Sequence, residues 1–309
     1  MLLNKIKNKQ TGVILYGITP PKKGTPVERI EEISQAQIER LKELDIDGLV
    51  LYDIADEASR TSVERPFPFM ETLDCFEYSE QYLKELDVAK IIYRSVGKYD
   101  ETALAKFVND SQNGNYLSVF VGAASKDQKV SLSIKDAYNL KNNLNSDLVL
   151  GGVTISERHQ KHQQEHLNVF SKIQNGCEFF VSQGVYDVTA SKNFLSDYYY
   201  YGKENNIELA PIFFTLTPCG SAKTLDFMKW LGIDIPRWLE NELINSSDIL
   251  QKSVDFCEQA WLELKAFADE KNIPIGCNIE SVAIRKVEID ASIELLKRIQ
   301  KTTQVEREL

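Results

Sequence analysis

The chain has 309 residues, 43% hydrophobic and 27% charged, with 15 Gly and 9 Pro, a composition that excludes disordered and fibrous classes. Its 36 Lys and Arg against 46 Asp and Glu leave a formal net charge of −10, which repels phosphate backbones and anionic lipid and argues against nucleic acid as a partner. No apolar run approaches the roughly 20 residues that span a bilayer, and the Lys- and Asn-rich start has no signal-like apolar core. The five cysteines (Cys75, Cys177, Cys219, Cys257, Cys277) never form a C-x-x-C pair, so a reduced, cytoplasmic protein is expected.

In chain order, β-branched and aromatic runs predict strands over 12–19, 47–53, 89–96, 116–122, 147–155, 178–184, 208–218 and 273–281. Helical spacing predicts helices over 27–44, 101–110, 134–144, 162–174, 189–204, 221–231 and 287–301. After the seventh unit, 235–243 (IPRWLENEL) reads as a short extra helix and 247–271 as a long one. Short strands alternating with longer helices call for parallel pairing with right-handed crossovers. Eight such units predict a (β/α)₈ TIM barrel with an extra helix between units 7 and 8, a single domain over 1–309. No G-x-G-x-x-G joins a strand to a helix, which removes the usual support for a Rossmann domain.

Barrel active sites lie at the C-terminal ends of the strands, so the residues after each apolar run are the candidates. They are Gly17 to Lys22; Asp53, Asp56, Glu57, Ser59 and Arg60, then 65–69; Arg94 and Ser95; Gly122 to Ser125; Thr154 to His159; Ser182 to Asp187; Thr215 and Thr217; and Asn278, Glu280 and Ser281.

Three of these elements resemble the methylenetetrahydrofolate reductase family: the Pro20-Pro21-Lys22 turn after strand 1, the run 176–187 ending in Ser182-Gln183 and Val185-Tyr186-Asp187, and Ile235-Pro236-Arg237-Trp238 after unit 7. The likeness is closer to the shorter, flavin-independent branch. It implies reduction of 5,10-methylenetetrahydrofolate in one-carbon metabolism, with folate at the barrel mouth and NADH or NADPH as hydride donor. It implies that Gln183 holds the pterin, that Tyr186 stands near the folate, and that Glu157, His159, Glu165, Asn168 and Lys172 match a flavin-binding face. Two departures stand out. The family's strand 1 glutamate, its general acid, aligns with Gly17, and the strand 4 "RGD" is reduced to Val121-Gly122-Ala123, which disfavours tight FAD binding.

The missing acid needs a substitute, because reducing the methylene bridge requires a proton donor with a raised pKa beside the pterin. Glu57 and Asp53, after strand 2, are the expected catalytic carboxylates; the competing reading makes Asp53, Asp56, Glu57, Arg60 and Arg65 a structural ion-pair network. Arg158, Lys172 and Lys286 are candidate partners for a folate's glutamate tail. A non-catalytic folate-binding barrel, or another folate reaction such as methyl transfer, is the alternative function.

Other patterns have two readings each. His159, His162 and His166 share a helical spacing that zinc could use with Glu165 nearby, but no metal is expected. Phe67 and Phe69, in a loop that its two prolines keep from being helical, either cover a planar substrate or plug the core. Tyr198 to Tyr201 read as helix packing plus a homo-oligomer surface. Cys219-Gly220-Ser221 reads either as a phosphate-binding helix start or as a cap by Ser221.

Overall fold

The computed structural model describes residues 1–57, 61–123, 130–144 and 146–308. Ser59, Arg60, Ala124 and Ser125 of the predicted rim lie outside them. Eight parallel strands, β1 (Ile14–Ile18), β2 (Gly48–Leu51), β3 (Ala89–Ser95), β4 (Tyr116–Val121), β5 (Val149–Thr154), β6 (Cys177–Gly184), β7 (Ile212–Leu216) and β8 (Ile275–Glu280), close in sequential order into a barrel. All eight predicted strands are present, and the expected (β/α)₈ barrel is the observed fold.

The strands are apolar along both faces because both faces are covered. Successive side chains alternate: Leu15, Val50, Ile91, Val119, Phe179, Val181 and Phe213 fill the barrel interior. Their neighbours Tyr16, Leu49, Ile92, Phe120, Phe180, Ile212 and Ile279 join the layer between strands and helices.

The surrounding helices are α1 (Leu2–Lys7), α2 (Val27–Lys42), α3 (Cys75–Tyr82), α4 (Glu101–Asp110), α5 (Ile134–Asn143), α6 (Glu157–His162), α7 (Glu165–Gln174), α8 (Val188–Asn205), α9 (Ala222–Trp230), α10 (Arg237–Ile244), α11 (Ile249–Asp269) and α12 (Lys286–Glu308). Asp74, Asp100, Ser133, Asp187, Ser221 and Asp248 begin their helices by accepting backbone N–H groups of the first turn, the groups a helix start leaves unpaired. The extra helix between units 7 and 8 is α10. The helix expected over 162–174 is α7, which starts at Glu165 because Gln163 takes the left-handed φ of 49° and ends α6, a short helix that the periodicity did not mark. Among the described residues no helix is long and apolar enough to cross a membrane, and all five cysteines are free and buried.

The start of the chain departs from expectation. Read only for a signal peptide, it instead forms α1, whose Leu2 and Ile6 are buried in the cluster that fills the barrel interior. Lys5 pairs with Asp47, and Asp47 in turn accepts the Ile14 N–H at 3.0 Å, so α1 plugs the end of the barrel opposite the mouth. Ile6→Ala should therefore lower unfolding free energy by about 2–5 kcal/mol, read from urea melts; a loss near zero would mean that α1 is not part of the cooperative core.

Candidate functional site

A cavity of about 930 Å³ opens at the C-terminal ends of the strands, near the upper end of the size range of ligand pockets. Its floor is set where the barrel closes. β1 pairs with β8 so that Gly17 stands opposite Glu280, and both face inward. A Cβ on Gly17 would lie 2.7 Å from the Tyr52 ring, 3.1 Å from Glu280 Cβ and 3.3 Å from Glu280 Oε2. The absent side chain of Gly17 is therefore the space that the Tyr52 ring and the Glu280 side chain occupy. A carboxyl from the neighbouring strand thus stands beside the strand 1 position where the family resemblance places a glutamate.

Burial pushes the Glu280 carboxyl up to about 7, opposed by its hydrogen bond with Tyr52. Tyr52 is itself held in place: its ring packs edge-on against Tyr93 at 4.7 Å, and its hydroxyl accepts the Asn278 amide at 2.6 Å. Asn278 also donates to Thr215 Oγ1 at 3.0 Å, and Thr215 Oγ1 donates to the Ser182 carbonyl at 2.7 Å. A polar chain thus runs from β6 through β7 and β8 to β2, ending at a carboxyl poised near neutrality, as acid–base groups commonly are.

Asp53 sits differently, although it lines the same cavity. Its carboxylate takes Lys98 Nζ at 2.5 Å, the Ser95 N–H at 2.8 Å and the Tyr99 hydroxyl at 3.0 Å. Tyr99 also meets the Arg94–Asp74 pair. These bonds join the ends of β2 and β3. Glu57 lines the cavity, half-buried.

No protein-family model matches the sequence, and no curated protein matches it. Among solved structures, an uncharacterized protein from Clostridium thermocellum that binds two copies of 5-methyl-5,6,7,8-tetrahydrofolic acid is 54% identical. It superposes with a TM-score of 0.88, over 98% of this chain and 100% of that one. The chain belongs to that protein's family. A psychrophilic family 10 endo-β-1,4-xylanase, 10% identical with a TM-score of 0.51 over 97% of this chain and 99% of its own, shares the fold alone. Kinship with methylenetetrahydrofolate reductase rests on the motif resemblance.

Within this family's barrel, the other predicted residues divide into those that reach the cavity and those that do not. Gln183 lines it and donates to the Leu231 carbonyl at 2.8 Å. Glu165, Asn168 and Lys172 form the wall beyond β5. Glu165 accepts the Thr154 hydroxyl, the Ile155 N–H and the Asn168 amide at 2.9–3.1 Å. Lys172 donates to the Val153 carbonyl at 2.5 Å, and burial lowers its pKa. Lys135 and Arg158 add cations to the same wall.

Tyr186 is turned away: fully buried, it donates to the Thr217 carbonyl at 2.8 Å and stacks on Phe256 of α11. His159 faces α8, where it meets Asp197 at 2.9 Å. Glu157 borders a smaller adjoining groove of about 440 Å³ with Arg158, Lys161 and Lys229, and burial pushes it up to about 8. Lys286 is exposed at the start of α12, outside the cavity wall.

The loop 65–69 packs on α9: Phe67 meets Phe227 edge-on at 5.2 Å. Arg65 lies over Phe69, Phe227 and Trp230 at 4.8–5.4 Å, while Trp230 Nε1 donates to the Val63 carbonyl. The loop thus reaches from β2 to the helix of unit 7, and of its residues it is Arg65 that lines the cavity. The N–H groups of Cys219 and Gly220 are bonded to Ser253 and Glu288, and Ser221 caps α9, so these residues serve the helix start. Tyr198 is buried against Ala210 and Tyr200 is exposed.

Glu280 was among the strand 8 rim residues but carried no role. Only the β1–β8 register ties it to Gly17. The folded state holds its proton to about pH 7, against a reference value of 4.5. The neutral form therefore favours folding below about 4.5, and this contribution is lost as pH rises to about 7. Glu157 acts in the same direction up to about 8. Glu280→Gln, which mimics the neutral form, should melt progressively higher relative to the parent as pH rises from about 5 to about 8; a difference independent of pH would contradict the shifted carboxyl.

Proposed function

We propose that the chain binds folate in the barrel mouth and reduces the methylene bridge of 5,10-methylenetetrahydrofolate, giving 5-methyltetrahydrofolate, with Glu280 as proton donor. The observation that carries this reading is the Glu280 carboxyl lodged against Gly17 in the cavity, where burial pushes it up to about 7. The 5-methyltetrahydrofolate bound by the Clostridium thermocellum relative is the product such a reaction would release, and the motif resemblance points the same way.

The bridge carbon is joined to two nitrogens. Proton delivery from Glu280 to the nitrogen that departs allows that C–N bond to break, leaving a cationic carbon–nitrogen double bond at the other. The methyl group would be completed by hydride from a reduced nicotinamide, were one bound in the mouth. The carboxyl is restored from solvent through the open mouth. Tyr52, Asn278 and Thr215 fix the carboxyl's position, Gln183 faces the pterin, and Lys135 and Arg158 meet the substrate's carboxylates. A cavity of about 930 Å³ leaves room for a second ring system beside the pterin, where a nicotinamide would sit during turnover. At the end of β4, Val121-Gly122-Ala123 carries no charged side chain, where the resembled family has the "RGD" element that helps to hold flavin.

Two measurements test this reading. Calorimetric titration with 5-methyltetrahydrofolate should show binding, and NADH or NADPH oxidation should depend on methylenetetrahydrofolate without added FAD. Glu280→Gln should cut kcat by about 10²–10⁴-fold, the range of general acid catalysis, while retaining 5-methyltetrahydrofolate binding. The parent's rate should fall above about pH 7 as the donor ionises. Loss of turnover in Glu57→Gln with Glu280→Gln unaffected would move the donor to the strand 2 loop. Binding without turnover would leave a folate-binding barrel or another folate reaction, such as methyl transfer.

A further inference from the structure

Outside the cavity, the corner between α6 and α7 folds onto α8. Gln163, left-handed at φ 49°, accounts for the sharp reversal, and its N–H is bonded to the His159 carbonyl at 2.7 Å. His159 of α6 and His166 of α7 come to face one another, ring centroids 5.3 Å apart and steeply inclined. Asp197 of α8 reaches the same point and meets His159 Nε2 at 2.9 Å. One ligand atom from each of His159, His166 and Asp197 can be chosen so that all lie within 4.8 Å of one another.

Both imidazoles are deeply buried, His159 at 2% and His166 at 9% exposure. The Nδ1 atoms of both are shut off from solvent and have no hydrogen-bond partner among the described residues. Two such nitrogens on neighbouring rings call for an explanation, since nearly all buried polar atoms are satisfied. Phe194 packs against His159, and Tyr201 against His166, so apolar walls hold both rings, while Asp197 is about half-exposed and free to swing.

We propose that His159, His166 and Asp197 form a site for a divalent transition-metal ion of the zinc type, clamping α6 and α7 to α8. Two imidazoles and a carboxylate are an ordinary zinc donor set, with water completing the tetrahedron. Bond lengths of about 2.0–2.2 Å require the donor atoms to draw together from separations of up to 4.8 Å. His162 and Glu165, the other residues that the spacing offered to zinc, take no part. His162 is exposed at the end of α6, and Glu165 is engaged by the end of β5. None of the three ligands lines the folate cavity, so the site is independent of the proposed reaction.

The test uses the full chain, stripped with chelator and titrated with Zn²⁺ against a chromophoric competitor. One equivalent should bind and raise the melting temperature. Asp197→Asn, at an exposed position, and His166→Gln should each weaken binding at least about tenfold, whereas His162→Ala should leave it unchanged. No stoichiometric uptake by the parent overturns the proposal. So does equal affinity in Asp197→Asn and His166→Gln, or a loss in His162→Ala as large as in Asp197→Asn.

Discussion

Closure of the barrel between its first and last strands sets the chemistry of the mouth. β1 and β8 can be neighbours only because the sheet curls through a full circle, and their register places Gly17 directly beside Glu280. Any larger residue at 17 would meet the Tyr52 ring or the Glu280 side chain. An empty position on one strand and a carboxyl on the next are two halves of one packing arrangement. The same closure lets the polar chain from Ser182 through Thr215 and Asn278 end at Tyr52.

The carboxylates near this mouth are separated by environment rather than by residue type. Asp53 is held by the Lys98 ammonium, the Ser95 N–H and the Tyr99 hydroxyl, a set of bonds that joins β2 to β3. Glu280 is held up by burial, to about 7, which lets it carry a proton near neutral pH. Lys98 lies outside the ion-pair network that the sequence suggested for Asp53. This contrast is what favours Glu280 for the proposed proton delivery.

The outer layer is organised by a separate constraint, the reversal at Gln163. It separates α6 from α7, so His159, His162 and His166 do not share one helix, and it fixes two imidazoles in a pocket walled by Phe194 and Tyr201. It also lets Glu165, at the new helix start, turn inward to bind the end of β5. One turn thus supplies a residue to the cavity wall and builds the histidine cluster behind it. At the opposite end of the barrel, α1 seals the interior with Leu2 and Ile6, leaving the mouth as the side where the large cavity opens.

The sequence by itself determined the architecture. Strands buried on both faces leave unbroken apolar runs, helices covering them leave an apolar stripe, and eight repeats of that alternation have few ways to close. It also marked the rim, since residues after each run must lie at the strand ends; Gln183, Glu57, Asn168 and Lys172 do line the cavity. Tertiary structure alone decided which rim residues meet. Tyr186 and His159 look like ligand-facing residues by their place in a motif, yet a side chain's direction depends on the helix packed behind it, and both turn outward. The partnerships of Gly17 with Glu280 and of His159 and His166 with Asp197 join positions far apart in the chain. Strand register and helix docking create such contacts, and neither leaves a local mark in the residues it brings together.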